Sequence, residues 1–185
     1  MVLALLVSIT SGAGSALAQD ASARQAALIL RILSYDRNLP ERASGEVTIL
    51  VAFRSSDAES RAESERITAA LNAMGRRTTV ANMHAHAVAV AFTDADALRA
   101  AATRESAAAI YVCQGLGAST RAVSSAARAA HLLSLTGERS GLSQGLSVGL
   151  VANGSEVQLV INLPAVEAEG ARLDATVLRL AEVIR

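Results

Sequence analysis

Six sets of residues have types and spacings that could do chemistry. Gly141-Leu142-Ser143-Gln144-Gly145 has the G-x-S-x-G spacing that holds a serine nucleophile exposed on a strand-to-helix elbow. Such an elbow needs a helix after the serine, then an acid and a histidine further along the chain. Here a strand-like run follows, and no histidine occurs after His131. The context argues against a hydrolase. Gly115-Leu116-Gly117-Ala118-Ser119-Thr120 follows an apolar run and opens a helical pattern. Backbone N–H groups at such a turn point toward an anion. Thr120 stands where a dinucleotide fingerprint has its third glycine, although Glu138 lies where a ribose-binding acid would fall. A plain strand-to-helix turn with a Ser/Thr cap accounts for the same residues. Gly115, Gly117 and Ser119 remain candidates for facing a ligand.

His84 and His86 would share one face of a strand and could share a metal. No cysteine lies near them, and a third ligand would have to come from a distance, so no metal site is expected. Tyr35-Asp36-Arg37-Asn38 is the densest polar cluster beside an apolar helix. These four are candidates for lining a pocket or touching a partner; a polar helix end with Asn38 in a turn is the simpler account. The pairs Glu63/Glu65 and Asp94/Asp96 fall on or beside charged helix faces, which suits solvated surface better than acid–base work. Cys113, the single cysteine, closes the apolar run AAIYVC and reads as a small core residue. No catalytic residue and no cofactor are expected, and the protein reads as a binder, not an enzyme.

The composition narrows the partners. The 185 residues carry 17 basic and 17 acidic side chains, so no net field draws in nucleic acid. Every basic residue is arginine. Aromatic residues make up 2%, which leaves few rings for stacking on sugars or bases. Hydrophobic residues make up 51%, ample for the core of one domain.

The elements that would position these residues alternate. A helical pattern covers Ala21 to Tyr35, with Leu28, Ile32 and Leu33 on its apolar face. A polar connection holds Pro40 and Gly45. Val47 to Phe53 (VTILVAF) is a continuous apolar run, as in strands covered on both faces. An amphipathic helix from Asp57 to Met74 is capped by Ser56 or Asp57 and stopped by Gly75. Strands are expected at Thr78 to Ala81, Ala87 to Phe92, Ala108 to Val112 and Leu132 to Thr136. Helices are expected from Asp94 or Asp96 to Arg104 and from Ser119 or Thr120 to Ala130. Asn153-Gly154-Ser155 joins two apolar segments as a hairpin. A last helix is expected from Asp174 to Arg185. The fold class is α/β: three layers, a mostly parallel sheet with helices on both faces, and a C-terminal antiparallel hairpin at the edge.

Met1 to Ile9 is apolar and too short to span a bilayer, which needs roughly 20 such residues. Ala16-Leu17-Ala18 then offers an A-x-A cleavage site. Residues 1–18 are therefore expected to be a signal peptide cleaved after Ala18, with residues 19–185 forming one exported domain.

The C-terminal pattern is specific. LSVGLVANGSEVQLVINL gives an apolar strand, a glycine turn and a strand ending in Ile161-Asn162-Leu163. PAVEAEG and LDATVLRLAEVIR follow. Upstream, AALILRIL, Pro40, VTILVAF, AAIYVCQGL and LLSLTG come in a matching order. This order resembles the YfiR-like family of small bacterial periplasmic proteins, across nearly all of residues 19–185. Leu39 stands where that family has the tryptophan of a Trp-Pro element. The resemblance implies a periplasmic repressor that binds the periplasmic domain of a membrane-bound signalling protein, a diguanylate cyclase. It would thereby lower cyclic di-GMP and restrain biofilm formation. The name-giving member is a dimer with disulfides, so a homodimer is implied. Cys113 alone makes no internal disulfide, and redox control does not carry over. No residue-level binding motif carries over either. The alternative reading is a periplasmic small-solute-binding protein serving a transporter.

Overall fold

The computed structural model describes residues 12–154 and 156–185. The apolar run Met1 to Ile9 lies outside them. The elements, in order, are α1 (Gly12–Ser34), α2 (Leu39–Arg42), β1 (Val47–Phe53), α3 (Ala58–Gly75), β2 (Thr79–Val80), β3 (Met83–Ala91), α4 (Ala95–Arg104), β4 (Ala107–Val112), α5 (Thr120–Ala129), β5 (Leu133–Thr136), α6 (Arg139–Ser143), β6 (Val148–Asn153), β7 (Glu156–Asn162), α7 (Leu163–Ala168), α8 (Ala175–Leu178) and β8 (Glu182–Ile184).

One sheet runs β2-β3-β1-β4-β5-β6-β7-β8. The pairs β3/β1, β1/β4, β4/β5 and β5/β6 are parallel, as the continuous apolar runs require. Alternation along β1 and β4 sends side chains to two cores. Val47, Ile49, Val51, Ala109 and Tyr111 pack with Ile29 and Leu33 of α1 and with Ile67 and Leu71 of α3. Leu50, Ala52, Ile110 and Val112 pack with Leu98 of α4 and Val123 of α5. A strand buried on both faces has no solvent side to offer polar residues, which is why β1 reads VTILVAF. Among the described residues no helix is long and apolar enough to cross a membrane.

The hairpin expected around Asn153-Gly154 forms, pairing β6 with β7 antiparallel from Val148↔Ile161 to Asn153↔Glu156. Ile161-Asn162-Leu163 has a physical role. Ile161 is core, and the Asn162 side chain accepts from the Ala165 amide to cap α7.

The expected terminal helix from Asp174 to Arg185 does not form. α8 stops at Leu178, and Glu182–Ile184 lies parallel to β7 as β8. The apolar positions Val177, Leu178 and Ala181 fit a helix, but Val183 and Ile184 are β-branched and the edge of β7 is open to pairing. Tertiary pairing won over the helical period. β8 thus lies outside the hairpin. The first helix begins at Gly12, earlier than the apolar face indicated, and the polar connection contains the short helix α2, with Pro40 in its first turn.

The other edge is closed by side chains. Ala81 and Asn82 both have positive φ, the geometry of a tight two-residue turn between β2 and β3. β2 covers only Met83 and His84. Beyond it, Asn72 of α3 donates to the Ala87 carbonyl at 3.1 Å and accepts from the Ala87 amide at 2.8 Å. One turn on, Gly75 lies so close to β3 that a Cβ there would sit 1.8 Å from the Ala85 carbonyl oxygen. Gly75→Ala is expected to force α3 off this edge and cost about 2–3 kcal/mol in urea unfolding. Unchanged stability would mean that the contact is not made.

Candidate functional site

The order β3-β1-β4-β5 reverses direction between β1 and β4, so the crevice beyond their carboxyl ends is where this architecture binds ligands. The loop 114–119 ends there. Gly115 and Gly117 take positive φ, and Gly117–Ser119 forms one turn of 3-10 helix before α5. This crevice is filled by the protein's own side chains. The Arg54 guanidinium donates to the Leu116 carbonyl, and the Arg54 amide donates to Ser60 Oγ at 3.0 Å. The Asp57 carboxylate caps α3 and lies 2.8 Å from where a Gly115 Cβ would be. Ser119 makes no side-chain cap bond.

Beside the crevice lies a half-buried network. Glu63 of α3 accepts from the Gln114 amide and from the Tyr111 hydroxyl, both at 2.8 Å, and Gln25 of α1 donates to the same hydroxyl at 2.8 Å. A carboxylate of the chain therefore takes the backbone N–H that a bound anion would have used. Burial, and then the Glu63 charge, hold the Tyr111 hydroxyl and the Cys113 thiol in their neutral forms by raising both pKa values. Burial and Glu63 raise Glu138 as well. Cys113 is free and buried, which makes it a packing residue and not a nucleophile.

At the opposite end of the sheet, Tyr35-Asp36-Arg37-Asn38 forms a joint. Asp36, fully buried, pairs with the Arg42 guanidinium of α2. It also accepts from the amides of Asn38 at 3.0 Å and Arg172 at 2.8 Å. Arg42 reaches on to the carbonyls of Ala108 at 2.6 Å and His131 at 2.8 Å. Asn38 donates to the Gly170 carbonyl at 3.1 Å, and the Tyr35 carbonyl accepts from the Asp174 amide at 2.9 Å. Arg37 is exposed and bonds Asp174, whose carboxyl is held far below the usual range by the Thr176 amide and then by Arg37. So these four residues bind the C-terminal segment of the same chain. Only Arg37 presents its side chain broadly to solvent.

The two strand histidines border an open groove of about 460 Å³ with Glu46, Asn72, Gly75 and Arg76. His86 Nδ1 lies 3.2 Å from a Glu46 oxygen, while His84 Nδ1 faces the Gly75 carbonyl at 3.4 Å. Among the described residues no group of three His, Cys, Asp or Glu side chains is placed to hold a metal. Ser143 is exposed, ends the five-residue α6, and donates to the Ser140 carbonyl at 2.8 Å. No helix follows it, so the elbow is not built. The sequence pattern did not single out Arg54, Arg42 or Glu169. Glu63 was assigned to a solvated face because α3 is amphipathic, and periodicity does not show which polar residue meets a strand end.

The sequence profile of the YfiR/HmsC-like family matches residues 22–182. The chain belongs to this family, whose members are periplasmic regulatory proteins. No curated protein matches the sequence. Several solved structures share its fold, among them three from bacteria. A conserved domain protein from Vibrio cholerae O1 biovar El Tor is 16% identical, with TM-score 0.65 over 89% of this chain and 60% of that one. A ligand-free, open substrate-binding protein with adhesive properties from Clostridium difficile is 13% identical, with TM-score 0.56 over 80% and 57%. An ABC domain in complex with L-Trp from Streptococcus pneumoniae is 15% identical, with TM-score 0.58 over 83% and 60%. This chain spans no more than 60% of any of the three.

The joint and the exposed pair give a contrast. Asp36→Ala would leave Arg42 buried without its partner and is expected to cost about 3–5 kcal/mol in urea unfolding. Arg37→Ala, on an exposed pair, is expected to change stability by less than about 1 kcal/mol. Equal effects would contradict the joint.

Proposed function

We propose that this protein is exported, with cleavage after Ala18, and acts in the periplasm as a non-catalytic regulator. It binds the periplasmic domain of a membrane-bound diguanylate cyclase and represses it. The observation that carries this reading is the family match over residues 22–182. The crevice supports it: Arg54, Asp57 and Glu63 occupy the place where a solute or nucleotide would lie. The protein's remaining recognition capacity is its outer surface. There, Val157, Leu180 and Ile184 are the large apolar side chains left exposed among the described residues.

A second reading has one observation in its favour. Two of the solved structures of this fold are described as a substrate-binding protein and as a domain in complex with L-Trp. On that reading the chain is a solute carrier serving a transporter, and Glu63 must leave the strand end before a ligand enters.

Deleting the gene is expected to raise intracellular cyclic di-GMP several-fold and increase biofilm, with both restored by the exported protein. Unchanged cyclic di-GMP would reject the cyclase as target. In a thermal-shift screen of amino acids and other small metabolites, the regulator reading expects no stabilisation. A rise of several degrees with one solute would favour the carrier.

A further inference from the structure

Glu169 lies away from both the crevice and the groove. It follows α7, and its side chain is completely buried. β5 and β6 pair only at Leu135↔Val148 and Thr136↔Gly149. Before those pairs the strands part, and the carboxylate of Glu169 fills the gap. Its Oε2 accepts from the Ser134 amide at 2.8 Å and from the Ser147 hydroxyl; its Oε1 accepts from the Ser134 hydroxyl at 2.6 Å. The Ser147 amide completes the set by donating to Ser134 Oγ at 2.9 Å. One side chain thus ties the segment after α7 to both strands.

The donors are all neutral. None of the ion pairs among the described residues includes Glu169. The charged groups around it come from each neighbouring element. Arg128 of α5 is the nearest cation in effect, but its guanidinium is exposed and donates to the Gly145 carbonyl at 3.2 Å. His131, before β5, packs its ring against Gly170, with Nδ1 3.2 Å from where a Cβ would be. Asp36 and Arg42 neutralise each other in the joint beyond. On α7 itself, Glu167 is exposed. β5 and the residue before β6 contribute only the neutral Ser134 and Ser147 at this point.

We propose that Glu169 is a proton-operated latch: neutral, it seals the C-terminal segment 163–185 against β5 and β6, and ionised, it loosens that joint. With its proton on, Glu169 keeps the two Ser134 donors and itself donates across the Ser147 Oγ contact. Ionised, its three hydrogen bonds compensate the buried charge only in part, because no cation accompanies it. Burial pushes its carboxyl up to about 7, against the lowering effect of Ser134, Ser147 and Arg128. An unfolded glutamate titrates at ~4.3. The folded state therefore holds the proton more tightly. The stabilisation is complete below about 4 and is lost as pH rises through about 7. The segment so controlled carries Asp174, the anchor of Arg37, and β8, which covers the edge of β7. It also carries Leu180 and Ile184, 72% and 39% exposed. Placement of this apolar edge would then follow the proton concentration outside the cytoplasm, whatever partner the protein serves.

The test is a carbon-13 titration of the side-chain carboxyls of the full chain, with melting temperatures from pH 5 to pH 8. The Glu169 resonance is expected to titrate near 7, apart from the main group of carboxylates. Wild type is expected to lose roughly 5 °C more than Glu169→Gln across that window, a difference that cancels the other titrating groups. Ser147→Ala, which removes a donor to the ionised form, is expected to move the midpoint upward. A Glu169 midpoint below about 5 overturns the proposal, as do parallel melting curves for wild type and Glu169→Gln. Should Glu169→Gln fail to fold, the wild-type titration and the Ser147→Ala shift decide alone.

Discussion

Asp36 and Arg42 form an ion pair with almost no access to water, and five stretches of chain meet on it. The carboxylate gathers the end of α1 and the segment before α8. The guanidinium gathers α2, the start of β4 and the turn before β5. A buried pair of this kind adds little net stability over an apolar contact, but removing one partner strands the other. Its value here is positional. It fixes the register of the C-terminal segment against the first helix, so that Glu169 meets Ser134 and Ser147, Asn38 meets Gly170 and Arg37 meets Asp174. The Arg42 Nε has no hydrogen-bond partner, so even this joint is not fully satisfied.

The two ends of the sheet do different work. At the amino ends of the parallel strands, polar side chains tie the chain to itself across more than a hundred positions. At the carboxyl ends, Arg54, Asp57 and Glu63 close the crevice that the strand order opens. The strand order that opens the crevice is kept, and the chain's own side chains take their place in it.

Much of this was legible in the residues. VTILVAF and AAIYVC announced strands covered on both faces, and Asn153-Gly154 announced the hairpin. Ile161-Asn162-Leu163 marked the family. The terminal helix was misjudged because Val177, Leu178 and Ala181 keep a helical period, while the deciding partner, the free edge of β7, lies far along the chain. Glu63 looked like solvated surface, and Glu169 carried no signal at all. A charged residue inside a core is invisible to patterns that assume charges lie outside. Tyr35 to Asn38 stood out by polarity alone, which does not distinguish a surface that meets another molecule from a seam within one.

Asn72 reaches from α3 to bond both the amide and the carbonyl of Ala87, in the manner of an adjoining strand. A side chain that imitates a backbone can be satisfied only once, whereas a real strand would offer its own far side to the next. The helix therefore acts as a terminator: that stretch of the sheet cannot recruit copies of itself edge to edge, and the protein at high concentration has one route to fibrils fewer.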